Sequence, residues 1–284
     1  GWHGFDVDYC RAVAAAVLGD ATAVRVRALE PLQLKAALVA GELDLVALGL
    51  IWTVARDADG LTFPAVAVFT GQGFLVPRAL GVRSALELDG ARICVRTGTP
   101  VLARLDRFFT AHLMEYVVLA FRDEAALFAA YEAKLCEAVS ADLRRLAAGR
   151  SGLATPAGHV LLPELVAKAP LGLAVAEGDP RWAEIVRWVH VALLWAEARG
   201  LDKATAAAFT AGSGDAAAPR LAVDARVTTA LGLSPGWQWR AVAAVGHYGE
   251  MFERHLGPTT AVGLPRGPNA LQRDGGLHDP LPWR

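Results

Sequence analysis

The stretch Gly49-Leu50-Ile51-Trp52-Thr53-Val54-Ala55-Arg56-Asp57 ends an apolar run with a lone arginine. A guanidinium stays charged and its fork matches a carboxylate through two parallel bonds. Arg56 is therefore a candidate grip for the carboxylate of a small ligand. The plainer alternative is a solvated loop arginine paired with Asp57 or Asp59, which at a surface is worth little. A second candidate is Thr97-Gly98-Thr99-Pro100, a turn between a strand-like and a helix-like segment, where backbone N–H groups and the helix dipole favour an anion. Asp142 follows a strand-like run and reads by itself as a helix N-cap.

Other chemistry is missing. His247 and His255 flank Glu250 and Glu253, but no H-E-x-x-H spacing puts two imidazoles on one helical turn, and a solvated helix with a Glu250–Arg254 pair explains them. There is no G-x-S-x-G elbow, no Walker loop and no G-x-G-x-x-G after a strand. Nothing in the sequence asks for an enzyme, a metal or a cofactor. The three cysteines, Cys10, Cys94 and Cys136, form no C-x-x-C. One disulfide plus one thiol and three buried thiols remain equally open.

The bulk composition sets the frame. With 284 residues, 54% hydrophobic and 20% charged, the chain can build one large or two smaller cores. A net charge of -1 and the lack of any Lys/Arg run argue against a nucleic-acid or lipid partner. No stretch reaches the ~18 apolar residues of a membrane span. The nearest, Val186 to Ala198, contains Arg187 and Glu197. The first residues lack a basic, then apolar, export signal.

The elements that must position these groups alternate. Val7 to Leu18 reads as a helix capped by Asp6 or Asp8 and ended by Gly19. Val24 to Leu29 reads as a strand, Pro31 to Ala40 as a helix, and Leu43 to Leu48 as a strand buried on both faces of a parallel sheet. Val66 to Phe69 and Gly73 to Pro77 are two more strands, and Ser84 to Leu88 a capped turn. Strands at Arg92–Arg96, Tyr116–Ala120 and Leu135–Ser140 then alternate with helices from Val101, Glu124 and Ala141, a second α/β set. Val160–Pro163 and Leu171–Ala176 are later strands. Trp182 to Arg199 is a long helix whose Trp182, Trp188 and Trp195 share nearly one face, as core residues do. Beyond a Gly/Ser/Ala-rich bridge (Gly212 to Ala218), a helical stretch spans Trp237 to Leu256.

Taken in order, several words carry a family likeness: Gly4-Phe5-Asp6-Val7-Asp8-Tyr9-Cys10-Arg11-Ala12, Trp52-Thr53-Val54-Ala55-Arg56-Asp57, Gly71-Gln72-Gly73-Phe74, Thr97-Gly98-Thr99 and Gly246-His247-Tyr248-Gly249-Glu250-Met251-Phe252-Glu253-Arg254. The chain resembles the type II periplasmic solute-binding proteins of amino-acid ABC transporters, nearest to the general L-amino-acid-binding branch. The resemblance implies an α/β, two-lobed fold, each lobe a mainly parallel sheet flanked by helices, joined by two hinge strands. Lobe one would be residues 1–76 and 176–284, and lobe two 77–175. It implies a periplasmic protein without cofactor or catalysis. The protein would close on an amino acid or analogue and deliver it to ABC permease membrane subunits. Arg56 would take the α-carboxylate, helped by Gly49, Ile51, Trp52 and Thr53. Gly98 and Thr99 would add donors, and Asp142 would take the α-ammonium. Cys94 and Cys136 would be bonded and Cys10 left alone.

The chain also departs from that pattern. Ile51 stands where a hydroxyl is expected, Pro100 offers no N–H, Ala141 replaces a polar neighbour of Asp142, and Arg144-Arg145 add charge. The family's first strand, expected before Gly4-Phe5-Asp6, is missing from this sequence. Apolar Leu48, Leu50 and Ile51 would shift selectivity towards an apolar or aromatic side chain, or another carboxylate. The alternative is a repurposed, receptor-shaped protein with a degenerate pocket that acts through a protein partner. An enzyme on this fold is the third reading.

Overall fold

The structure, a computed structural model, describes residues 1–29, 31–98, 101–210, 221 and 223–282. The Gly212–Ala218 bridge lies outside the described residues. The fold is α/β, and the chain forms two compact units: residues 1–68, 170–255 and 269–284, and residues 69–169 and 256–268. It passes from the first to the second inside one long strand, β2 (Leu61–Pro77), and back inside β7 (Ala167–Ala176). Val66–Phe69 and Gly73–Pro77, expected as separate strands, are thus parts of one.

The first unit starts with α1 (Phe5–Leu18), ended by Gly19 in the left-handed conformation at φ 74°. Gly4 holds the cap position, and Asp6 takes the first-turn Val7 N–H at 2.9 Å from inside the helix, while Asp8 has no part in the cap. Asp8 is buried and serves tertiary structure instead. It accepts from Arg11 Nη1 at 3.1 Å, and from Arg254 Nη2 at 2.6 Å and His255 at 2.7 Å on the helix Tyr248–His255. The expected Glu250–Arg254 pair is therefore replaced, because a buried carboxylate outcompetes a solvated one for the guanidinium. Glu250 turns to the His247 and Lys203 N–H groups. α1 packs on the helix Trp237–Val245, and Phe5 meets Tyr9, Tyr248 and Phe252 edge to face. α7 (Pro180–Ala198) follows β7; its partly buried Trp182 and Trp195 tie their indole N–H groups to the Asp44 and Leu281 carbonyls.

Two strand expectations fail here. Val24–Leu29 alternates as a strand should, yet it joins no ladder. It lines a cavity of about 360 Å³ together with Cys10, Leu34, Leu43 and Val46. Alternation sets which side chains face inward but cannot supply a neighbouring strand. Beyond α2 (Pro31–Val39), the strand placed at Leu43–Leu48 is β1 (Val46–Ile51), and it pairs antiparallel with β7, Leu50 opposite Gly172 and Ile51 opposite Leu171. A continuous apolar run reports burial, which an antiparallel strand between packed layers meets equally well. Leu38, Val46, Leu50, Leu61, Phe63 and Ala174 form the core beneath it.

The second unit carries β3 (Ala91–Arg96), α4 (Val101–Ala111), β4 (Tyr116–Phe121), α5 (Glu124–Glu132), β5 (Ala138–Asp142), α6 (Leu143–Ser151) and β6 (His159–Leu161). β3 pairs parallel with β4 and β5, while β2 pairs antiparallel with β5 and β6. Among the described residues the strand order is β1-β7-β2 in the first unit and β2-β5-β3-β4 in the second, where β6 also pairs with β2. Phe74, Val76, Ile93, Val95, Leu105 and Phe109 centre this core. Ser84 Oγ accepts from the Leu86 N–H at 3.2 Å, and Glu164 takes the Ser84 hydroxyl and the Ala85 N–H. Cys94 on β3 is bonded to Cys136 just before β5, with Cα atoms 5.8 Å apart. Cys10 keeps its thiol. Burial, then the Asp6 charge, push its pKa up to about 11, so it stays protonated. No helix among the described residues is long and apolar enough to cross a membrane.

Candidate functional site

In the first unit the candidate group is built on the end of β1. Trp52 N donates to the Pro170 carbonyl at 2.8 Å, which fixes the chain as it leaves the strand. Thr53, in extended conformation, caps the single turn α3 (Val54–Asp57) by accepting from the Arg56 N–H at 3.4 Å. The turn folds back, and Arg56 Nη1 donates to the Ile51 carbonyl. This bond holds a half-buried guanidinium beside the strand end.

The carboxylates expected to occupy Arg56 are taken. Asp57 accepts from Trp52 Nε1 at 2.8 Å, and Asp59 pairs with Lys35 at 2.7 Å. Among the described residues Arg56 has no carboxylate partner. Trp52 is in turn stacked on Phe63, centroids 5.7 Å apart. Gly172 makes room for that ring: a Cβ there would come within 2.4 Å of Phe63 Cδ1. The apolar residues split. Leu50 is 3% exposed and belongs to the core, whereas Ile51 is half-buried beside Arg56. Gly49 is exposed, in the irregularity between Ala47 and Leu50.

In the second unit the parallel pairing does the positioning. β3 and β5 run side by side in one direction, with Ile93 opposite Ala138 and Cys94 opposite Val139, so their carboxyl ends share one edge of the sheet. In open α/β sheets that edge is where ligands bind. Gly98 follows β3 there, at φ 69°, a left-handed conformation that suits glycine. Thr99 and Pro100 lie outside the described residues, so the donor expected at Thr99 is not described. Asp142 is both the last residue of β5 and the N-cap of α6. Its Oδ1 accepts from Arg144 N at 3.0 Å and Arg144 Nε at 3.1 Å. The cap explains why the carboxylate sits at this edge, and Arg144 neutralises part of its charge.

Sequence reasoning passed over Gln72, opposite Asp142 on β2. It is 2% exposed, and Nε2 donates at 3.1 Å to both the Val101 carbonyl and Ser140 Oγ. Its signal was an amide inside a strand run that is apolar apart from Thr62 and Thr70. The structure thus gathers Arg56 with Ile51, Trp52 and Thr53 in one unit, and Gly98 with Asp142 in the other.

No protein-family model matches the chain. The chain is 41% identical over 285 residues to the glutamate/glutamine/aspartate/asparagine-binding protein BztA of Rhodobacter capsulatus, covering all of this chain and 84% of the relative. It is 38% identical over 286 residues to the general L-amino acid-binding periplasmic protein AapJ of Rhizobium johnstonii, with the same 100% and 84% coverage. Among solved structures, an ABC transporter periplasmic binding protein from Brucella ovis with glutathione bound superimposes with a TM-score of 0.72 at 40% identity, covering 100% of this chain and 90% of that one. The chain therefore belongs to the amino-acid-binding periplasmic proteins of ABC transporters, a family of receptors rather than enzymes.

Proposed function

We propose that this chain is the solute receptor of an ABC importer, works in the periplasm and hands its ligand to the permease subunits. It recognises the α-amino-acid head group. Arg56 takes the α-carboxylate and Asp142 the α-ammonium, with Gly49, Ile51, Trp52, Thr53, Gly98 and Thr99 around them. The observation that carries this reading is Arg56: its guanidinium is oriented by the Ile51 carbonyl while both nearby carboxylates are held elsewhere. A cation prepared in this way favours an incoming carboxylate. The relatives' names agree with the chemistry. Glutamate, glutamine, aspartate, asparagine and the γ-glutamyl end of glutathione all present the same zwitterionic head. The half-buried Ile51 in place of a hydroxyl makes the surroundings of that head more apolar than in the family at large.

One observation favours the alternative of a repurposed receptor acting through a protein partner. Arg144 already occupies Asp142 Oδ1. A thermal-shift panel of the common amino acids and glutathione decides between them. A ligand at about a hundredfold above its Kd adds about 2.7 kcal/mol, which is several degrees in Tm. A shift that disappears in Arg56→Ala supports the receptor. Flat curves across the panel, for both proteins, refute it.

A further inference from the structure

We infer that Gln72 is a positioning residue, the brace that sets the two ligand-gripping segments of the second unit against each other. The inference rests on the receptor reading above and goes beyond it. The α4 start, which follows the Gly98 turn, and the end of β5, which presents Asp142, are separate in sequence. One side chain joins them: Gln72 Nε2 donates to the Val101 carbonyl on α4 and to Ser140 Oγ on β5, both at 3.1 Å. Ser140, fully buried, passes the link on by donating to the Gly73 carbonyl at 2.9 Å. The backbone of the same residue is pinned from the other side, since Val166 N donates to the Gln72 carbonyl at 2.8 Å. Gln72 and Asp142 are direct cross-strand partners, so the brace acts at the position that carries the anionic grip.

Folding alone does not favour an amide here. Gln72 Oε1 is buried and has no hydrogen-bond partner among the described residues. A half-satisfied buried amide is a net cost, and each such group in a native structure calls for a reason. A leucine would fill similar space and bury no amide oxygen, at the cost of the two bonds from Nε2. The two bonds from Nε2 are that reason: they fix the spacing of a helix start and a strand end to hydrogen-bond precision, which packing by aliphatic groups does not.

The test uses Gln72→Leu, with Gln72→Met as the second variant, which keeps the length and loses the donor. L-Glutamate is the probe in calorimetric titration, and amide hydrogen exchange is followed in the free proteins. Gln72→Leu is expected to weaken L-glutamate binding about tenfold or more, with Tm within about 2 °C of the parent. It is expected to speed exchange at residues 101–105 and 140–142 only. Unchanged exchange at both segments in both variants overturns the brace, whatever binds. Faster exchange with unchanged affinity overturns its part in binding. A parent protein that binds no member of the amino-acid panel refutes the receptor reading and removes the role with it, an outcome distinct from equal binding by parent and variants.

Discussion

Trp52 Nε1 donates to Asp57 Oδ2 at 2.8 Å, and this bond keeps the nearest carboxylate away from Arg56. Trp52→Phe removes the donor and keeps most of the ring that stacks on Phe63. Asp57, one residue from Arg56, then competes with the ligand for the guanidinium. Affinity for L-glutamate is expected to fall about threefold to tenfold, and Trp52→Phe with Asp57→Asn to recover it. Arg56→Ala removes a charge-assisted bond of about 1.5–3 kcal/mol, so its Kd rises by about tenfold to more than a hundredfold. Isothermal titration of the four proteins separates these outcomes. Equal affinities for Trp52→Phe and the parent would show that Asp57 is no competitor.

Arg144 gives a test of opposite sign. Its guanidinium lies 3.1 Å from Asp142 Oδ1 and is largely exposed, so the pair adds little to stability. Arg144→Ala is expected to leave Tm nearly unchanged and to tighten binding of L-glutamate a few-fold, by returning full charge to Asp142. Asp142→Asn is expected to weaken it. A weaker Arg144→Ala protein would mean that Arg144 helps the ligand rather than screening the carboxylate.

How much of this was legible in the sequence depends on the range of the interaction concerned. The Asp142 cap was visible because a cap at the end of a strand-like run is local chemistry. The helix ended by Gly19 was visible for the same reason. Val24–Leu29 and the direction of β1 were not, because strand pairing is decided by the neighbour and not by the strand. Asp8 was misread as a cap because Arg254 and His255, its partners, lie over two hundred residues away. Gln72 was passed over as part of a family word; only the β2–β5 register places it against Asp142.

The Cys94–Cys136 bond closes a loop with a sequence separation of 42 within the second unit. A crosslink of that span constrains the unfolded chain by about 2–4 kcal/mol. Reduction, or Cys94→Ala with Cys136→Ala, is expected to lower the melting temperature by several degrees. Calorimetry with and without reductant checks it. Cys10→Ala should leave the response to reductant unchanged.

Acid stability should fall in two stages. His190 is buried, bonded through Nδ1 to the Tyr9 hydroxyl at 2.8 Å and packed on the Tyr248 and His278 rings. Burial pushes its pKa down to about 4. The unfolded chain therefore binds a proton that the folded one refuses. Stability is full above the ordinary histidine value and is lost as pH falls from about 6.5 towards about 4, by up to about 3 kcal/mol. Asp8 follows. Burial raises its pKa, but the Arg254 and His255 hydrogen bonds outweigh burial and leave it below the ordinary range. Its contribution is present above about pH 4 and is lost below that, as the folded carboxyl protonates. Denaturant melts across pH 3 to 8 for the parent, His190→Gln and Asp8→Asn test both stages. His190→Gln should flatten the upper stage and Asp8→Asn the lower.

Gly172 links β7 packing to the arginine site. A Cβ at this position would meet Phe63 Cδ1 at 2.4 Å, and that ring is 3% exposed within the core. Gly172→Ala must displace Phe63 or part the β1–β7 ladder at Leu50. Overpacking of this kind costs about 1–3 kcal/mol. The displacement reaches Trp52 through the stack and Arg56 through the turn that follows. Gly172→Ala is therefore expected to lower Tm, shift tryptophan emission and weaken L-glutamate binding together. Phe63→Leu in the same chain, by shrinking the ring, should restore Tm but not the Trp52 stack or full affinity. Restoration of affinity along with Tm would show that the stack on Trp52 does not set the position of Arg56.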